Sequence, residues 1–162
     1  MRKMVLSTIV CMLFISPYSY GQGAVTQPIL SLAAAKLIGE AALEACTSQG
    51  YHTSVAVIDR AGNLLVVFRD ELAHPGTIGM AQQKAQTAVL FRRSSLEFQQ
   101  RTAVDPSLMP QRDVPGILAL AGGVPIRLNG EIIGGVASSG ANQVSDDECA
   151  RVGLAKAEEL LN

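Results

Sequence analysis

The pair Asn129-Gly130, which lies between two apolar runs, constrains the fold of this chain more than any other local feature. The runs on either side cover residues 124–128 and 131–137. Both central positions of a type I′ turn need a positive φ, which asparagine and glycine adopt most easily. The pair therefore predicts a tight hairpin of two antiparallel strands.

A second hairpin is predicted in the first half of the chain. Residues 53–58 and 64–68 are rich in Val, Ile and Leu, and residues 59–63 between them include a glycine and an asparagine, which favour a turn. Residues 117–120, just before Gly122-Gly123, predict one further strand.

Three long helices are predicted around these hairpins. The first covers residues 31–49, where Lys36, Glu40, Glu44 and Ser48 form one narrow polar stripe on a surface that is otherwise apolar or small. Such a helix is covered on most sides, either by its own chain or by a second subunit. The other two begin at Thr77, as the N-cap of a helix to residue 91, and at Ser145, as the N-cap of a capping box with Glu148.

Residues 94–116 have the least regular pattern and predict a long functional loop. The segment is polar and contains three prolines, with one short helical piece over residues 95–100. Four apolar side chains are expected to anchor it by packing: Val104, Leu108, Met109 and Val114.

The order of elements predicts an α+β fold. Helices that surround hairpins indicate an antiparallel sheet, here of about five strands flanked by helices, rather than a doubly wound parallel one. Residues 22–162 are about the length of one domain with one core. We therefore expect a single domain.

The N-terminus has the pattern of a secretory signal peptide over residues 1–21. Arg2 and Lys3 precede an apolar run over residues 4–15, and small or polar residues follow. The run of about 12 residues is shorter than the roughly 20 that span a bilayer, so a retained membrane anchor is the weaker alternative. We expect a periplasmic or secreted protein without membrane insertion.

Charge and cysteine content narrow the classes of function. The net charge of −1 and the lack of a basic run argue against nucleic-acid binding. With two histidines and no CxxC motif, a zinc site is not expected. Cys46 and Cys149 follow the signal segment, and they form either a disulfide, as export favours, or two buried free thiols.

Seven residues are candidates for binding a ligand. His74 lies in a loop just before a helix, where ligand groups are often found, so it is the candidate metal ligand. His52, at the start of a strand, is either a second candidate metal ligand or a polar residue that is solvated at the strand end. Lys84 lies on the small-residue face of its helix, where it either reaches an anion or extends along the edge of the core. The remaining candidates are polar groups near strand ends or in loops: Arg69, Arg112, Ser138 and Ser139.

Short segments along most of the chain resemble the GlcG/HbpS-like family of haem-binding proteins, which also provides the C-terminal domain of some PduO-type proteins. The matching segments are residues 55–64, Ala81 with Lys84-Ala85 and Thr87-Ala88, Pro115-Gly116, Gly122-Gly123 with Pro125, Gly130, residues 133–136 with Ser138-Ser139-Gly140, and Asp146-Asp147 with Ala150. The stretch after Arg69, residues 70–74, departs from the common pattern and leaves the axial ligand open.

The resemblance implies an antiparallel sheet with flanking helices, assembly into ring-like oligomers that are commonly octamers, and binding or degradation of haem. His74 is then the candidate axial ligand, and Lys84 and the arginines are candidates to pair with propionates. Because the chain has no Trp and few aromatic residues, a shallow or intersubunit haem site is easier to form than a deep one.

Three hypotheses follow from these observations. The first is an exported haem carrier, sensor or haem-degrading accessory protein that self-associates. The second is an enzyme that acts on a small organic acid, with Asp59, Lys84 and Arg112 as acid, base or carboxylate clamp. The third is an oligomeric interaction module that docks on a membrane sensor protein.

Overall fold

The computed structural model describes Gly23 and residues 25–161, so the predicted signal segment lies outside the described residues. Four antiparallel strands form one sheet: β1 (Ser54–Asp59), β2 (Leu64–Arg69), β3 (Gly123–Leu128) and β4 (Glu131–Ser139). Their order across the sheet is β2-β1-β4-β3. Asn129 and Gly130 have φ values of 50° and 82°, which confirms the predicted hairpin turn. The single α+β domain is therefore confirmed.

The prediction of a fifth strand over residues 117–120 is wrong. The backbone amide of Leu118 donates to the hydroxyl of Thr87 (2.9 Å), and that of Leu120 donates to the carbonyl of Leu118 (2.9 Å). Because these amides bond to a helix side chain and to the segment itself, they are not available to a neighbouring strand.

Helices cover both faces of the sheet. On one face lie α1 (Leu32–Thr47) and α4 (Gln143–Lys156), which enclose the main apolar core with inward-facing residues of β1, β3 and β4. On the other face lies α2 (Thr77–Leu90), whose Ala85 packs against Ile58 and Ala137. The remaining helices are α3 (Ser95–Val104), a 3₁₀ helix (Pro106–Asp113) and the short α5 (Glu158–Leu161). None of the helices in the described part of the chain combines the length and the hydrophobicity that a membrane span requires.

Two predicted N-caps are wrong. Gly76, with φ of 90°, is the N-cap of α2, and the Thr77 hydroxyl instead donates to the carbonyl of His74 (2.9 Å). Asn142 is the N-cap of α4, because its side-chain oxygen accepts from the amides of Val144 and Ser145 at 3.0 Å each. The asparagine three residues earlier therefore takes the role predicted for Ser145.

The predicted loop over residues 94–116 is more regular than expected. Ser94 and Glu97 form a capping box that starts α3, and the 3₁₀ helix follows directly. The predicted packing of its apolar residues is largely wrong, since Val104 is 83% exposed and Met109 is 54% exposed. This segment therefore presents apolar side chains to its surroundings.

Cys46 and Cys149 form a disulfide that joins α1 to α4, with a Cα–Cα distance of 5.5 Å. Of the two states that the sequence left open, the structure has the bridged one. Both residues are fully buried, so the bridge lies inside the layer that packs on the sheet.

Candidate functional site

A small pocket lies where the N-terminus of α2, the end of β4 and the start of α4 meet. It has a volume of about 230 Å³ and brings together three of the seven predicted site residues, His74, Lys84 and Ser139. We call it the His74 pocket. Its other lining residues are Thr77, Met80, Leu120, Gly140, Ala141, Gln143 and Asp146.

His74 is exposed at the edge of this pocket, and its loop holds it by hydrogen bonds. Its Nδ1 lies 2.9 Å from the carbonyl oxygen of Pro75. A carbonyl oxygen can only accept, so Nδ1 is the donor in this contact, and Nε2 is the ring nitrogen left to bind a metal. Arg69 supports the same loop by donating to the carbonyl of Ala73. The imidazole is therefore in the tautomer that can bind a metal through Nε2.

Lys84 lies at the base of the pocket in a buried ion pair. Its ammonium donates to Asp146 Oδ2 (2.7 Å) and to the carbonyl of Ser138 (3.1 Å), and the two charged side chains are only 2% and 3% exposed. Gly122 leaves the space for this contact, since a Cβ there would lie 2.9 Å from Asp146 Cβ and 3.1 Å from Lys84 Nζ. The positive charge of Lys84 is thus neutralised inside the protein.

Asp146 was missed as a site residue by the sequence analysis. Besides Lys84, its carboxylate accepts from the amide of Ala141 (3.1 Å) and lies 3.4 Å from the hydroxyl of Ser138. A partial signal was present, because a lysine on an alanine face needs a partner of opposite charge if its ammonium is buried. The sequence alone did not tell which of the acidic residues that would be.

Ser138 and Ser139 point to opposite faces of β4. Ser139 lines the His74 pocket, whereas the Ser138 hydroxyl faces α1 and α4, 3.4 Å from Cys46 Sγ. The two serines differ because successive side chains of a strand alternate between the faces of the sheet. Ser138 therefore reaches Lys84 through its backbone carbonyl only.

His52 lies outside the lining of the His74 pocket and pairs with Asp70. Its Nδ1 is 3.0 Å from Asp70 Oδ1, and its side chain is 48% exposed. Hydrogen bonds from the Leu72 amide and from His52 lower the pKa of Asp70 below its usual value. Asp70 therefore stays ionised near neutral pH and holds the His52 ring at the start of β1.

Arg112 also lies outside the pocket lining. It donates to the hydroxyl of Thr102 (2.8 Å) and to the carbonyl of Gln99 (3.0 Å), which ties the 3₁₀ helix to α3.

Asp59 accepts hydrogen bonds within its own turn from the backbone amides of Ala61 and Asn63. Burial raises the pKa of Asp59, but the side chain of Asn63 and the amides of the turn together lower it below its usual value. Neither Arg112 nor Asp59 forms a hydrogen bond or ion pair with Lys84 in the described part of the chain.

The chain is similar to proteins of one family along most of its length. The family model described as "Haem degrading protein HbpS-like" matches residues 30–155. Protein GlcG of Escherichia coli K12 is 33% identical over 114 residues, which cover 70% of this chain and 84% of GlcG.

Solved structures have the same fold. A double mutant of HbpS from Streptomyces reticuli has a TM-score of 0.78 and 38% identity, and the match covers 85% of this chain and 92% of HbpS. The complex of PduOC with haem has a TM-score of 0.72 at 22% identity, and the match covers 80% of this chain and 95% of PduOC. The resemblance found in the sequence is confirmed, and the chain belongs to the HbpS-like family.

Proposed function

We propose that this chain binds haem at the His74 pocket, with Nε2 of His74 as the iron ligand. The observation that supports this most directly is the 2.9 Å contact between His74 Nδ1 and the Pro75 carbonyl, because it leaves Nε2 as the basic nitrogen. Haem iron is commonly held by such a histidine, whose other ring nitrogen donates to a carbonyl or carboxylate. Membership in a family described as haem-degrading adds to the proposal.

The residues of the pocket fit one part of a haem. Met80, Leu120 and Ala141 offer apolar contacts beside His74, and haem would supply a redox-active iron there. The pocket of about 230 Å³ is smaller than the roughly 300–1,000 Å³ usual for small-molecule sites. The paired Lys84 shapes its base and is not free to meet a propionate. We therefore propose a site that is completed by a second subunit.

Self-association is part of this proposal. The exposed apolar side chains Leu72, Val104 and Met109 would be covered in an oligomer such as the octamer that the family resemblance implies.

Export to the periplasm or beyond is also part of the proposal. The disulfide supports it, since such bridges persist in oxidising compartments. Mass spectrometry of the exported protein tests the signal peptide. We expect a mature N-terminus near Gln22. Docking on a membrane sensor protein stays a prediction, tested by co-purification.

Replacing His74 with alanine is expected to weaken hemin binding at least about tenfold, because the replacement removes the iron ligand. The measurement is a titration of the processed protein with hemin, followed by the Soret absorbance, with light scattering on the same samples to count subunits. His52→Ala is the matched control, since it removes the other histidine but leaves the pocket lining intact.

Equal loss of binding in His52→Ala, or unchanged binding in His74→Ala, would contradict His74 as the ligand. A wild-type protein without a saturable Soret change would contradict haem binding altogether. The hypothesis of an enzyme that acts on a small organic acid would then be tested by turnover without haem.

A further inference from the structure

Four arginines line a second pocket, formed by the turn between α2 and α3, the start of α3, strand β3 and helix α4. They are Arg92, Arg93, Arg127 and Arg151, and the pocket has a volume of about 480 Å³. We call it the arginine pocket. It shares no lining residue with the His74 pocket.

Positive charge is concentrated in the arginine pocket although the whole chain has a net charge of −1. The one carboxylate in its lining, Glu97, is engaged at the N-terminus of α3, where it accepts from the amide and hydroxyl of Ser94. Arg151 pairs with Asp147 at 2.7 Å. Among the described side chains, the other three arginines have no ion pair.

Backbone carbonyls hold two of these guanidinium groups in place. Arg127 donates to the carbonyls of Arg92 (2.8 Å) and Gly130 (3.1 Å), and the Nε of Arg93 donates to the carbonyl of Phe91 (3.1 Å). A guanidinium has five N–H donors, so each group keeps donors for a ligand. The side chains are thus oriented before any anion arrives.

Arg92 has a backbone conformation that normally favours glycine. It follows the C-cap of α2 and has φ of 57°, in the left-handed region. Glycine is the usual residue at this position, and a side chain there carries a conformational cost. Backbone strain of this kind is concentrated at functional sites. The arginine at this position is therefore better explained by its charge than by the stability of the helix end.

One wall of the arginine pocket is apolar. Val124, Pro125 and Leu154 form it, and Pro125, Arg127 and Leu154 also line an adjoining pocket of about 380 Å³. Guanidinium groups bind carboxylates and phosphates through paired hydrogen bonds. The volume of the arginine pocket lies within the range of small-molecule sites.

We propose that the arginine pocket binds a small molecule that carries two or more oxyanion groups. This site is separate from the proposed haem site and does not depend on it. Carboxylates and phosphates both provide such oxyanion groups, so the ligand is either a polycarboxylate or a phosphorylated compound.

Isothermal titration calorimetry of the full processed protein tests the proposal, with citrate and pyrophosphate as the two probes. Sodium chloride at matched ionic strength is the control for screening. We expect one of the two probes to bind the wild type saturably. Arg93→Gln and Arg127→Gln should each weaken that binding about tenfold, because each removes one guanidinium group. Arg101→Gln, which makes the same charge change on the exposed side of α3, is expected to bind like the wild type.

A second variant separates binding from folding. Arg92→Gly is expected to weaken probe binding and at the same time raise the Tm, because glycine relieves the left-handed backbone. Loss of binding in Arg101→Gln, or heats that sodium chloride reproduces, would overturn the site. Hemin binding is expected to stay unchanged in Arg93→Gln and Arg127→Gln, whether or not the probes bind to the arginine pocket. The two proposals can therefore fail independently.

Discussion

The double variant Cys46→Ala/Cys149→Ala is expected to lose about 4 to 5 kcal/mol of the free energy of unfolding, because the disulfide closes a loop with a sequence separation of 103 residues. A long loop restricts the unfolded chain strongly, and a typical domain has only about 5–15 kcal/mol in total. The bridge therefore supplies a large share of the stability. Urea denaturation followed by circular dichroism measures the loss.

Reduction provides the matched control for this variant. Wild-type protein in dithiothreitol should fall to nearly the stability of the double variant, and the variant itself should not respond to the reductant. If reduced and oxidised wild type had the same denaturation midpoint, the bridge would not have the stabilising role described above. Alanine is preferred to serine because both positions are fully buried, and a buried hydroxyl without a partner has its own cost.

Lys84→Met is expected to destabilise the protein by about 3–5 kcal/mol, because it leaves the carboxylate of Asp146 buried without its counter-ion. Methionine keeps most of the length and apolar character of the lysine stem, so the change is mainly one of charge. The measurement is again the free energy of unfolding in urea.

Two further variants show whether the charge is the cause. Asp146→Asn added to Lys84→Met should recover a large part of the loss, since no unpaired charge remains and the amide oxygen can still accept from Ala141. Lys36→Met, at an exposed position of α1, should change stability by no more than about 0.5 kcal/mol. A double variant as unstable as Lys84→Met would mean that packing, not charge, is lost.

Local features that depend on neighbouring residues were predictable from the sequence. The Asn129-Gly130 turn is one case, since its backbone angles are specified by the two residues themselves. The alanine face of α2 is another, because Ala81, Ala85 and Ala88 recur at helical spacing and all three are buried. The caps were predicted less well, because several polar residues in a row can each serve as the N-cap, as Asn142 and Ser145 show.

The candidate site was predictable only in part. His74 and Ser139, which line the same pocket, were candidates from the sequence because one lies in a loop before a helix and the other lies at the end of a glycine-rich strand. Asp146 was not found, since its partner Lys84 is 62 residues away in the chain and the contact exists only where α2 and α4 meet at the end of the sheet. Arg112 looked like a ligand group, but its donors bond to α3.

The sequence by itself determined the α+β class, the two hairpins, the positions of the main helices and the family, because these depend on short-range patterns of apolar, small and turn-forming residues. Only the tertiary structure decided that Cys46 bonds to Cys149, that Lys84 is neutralised by Asp146, and that four arginines from three parts of the chain line one pocket. The physical reason is that these contacts join residues far apart in the chain, and their distances are set by how the helices pack on the sheet.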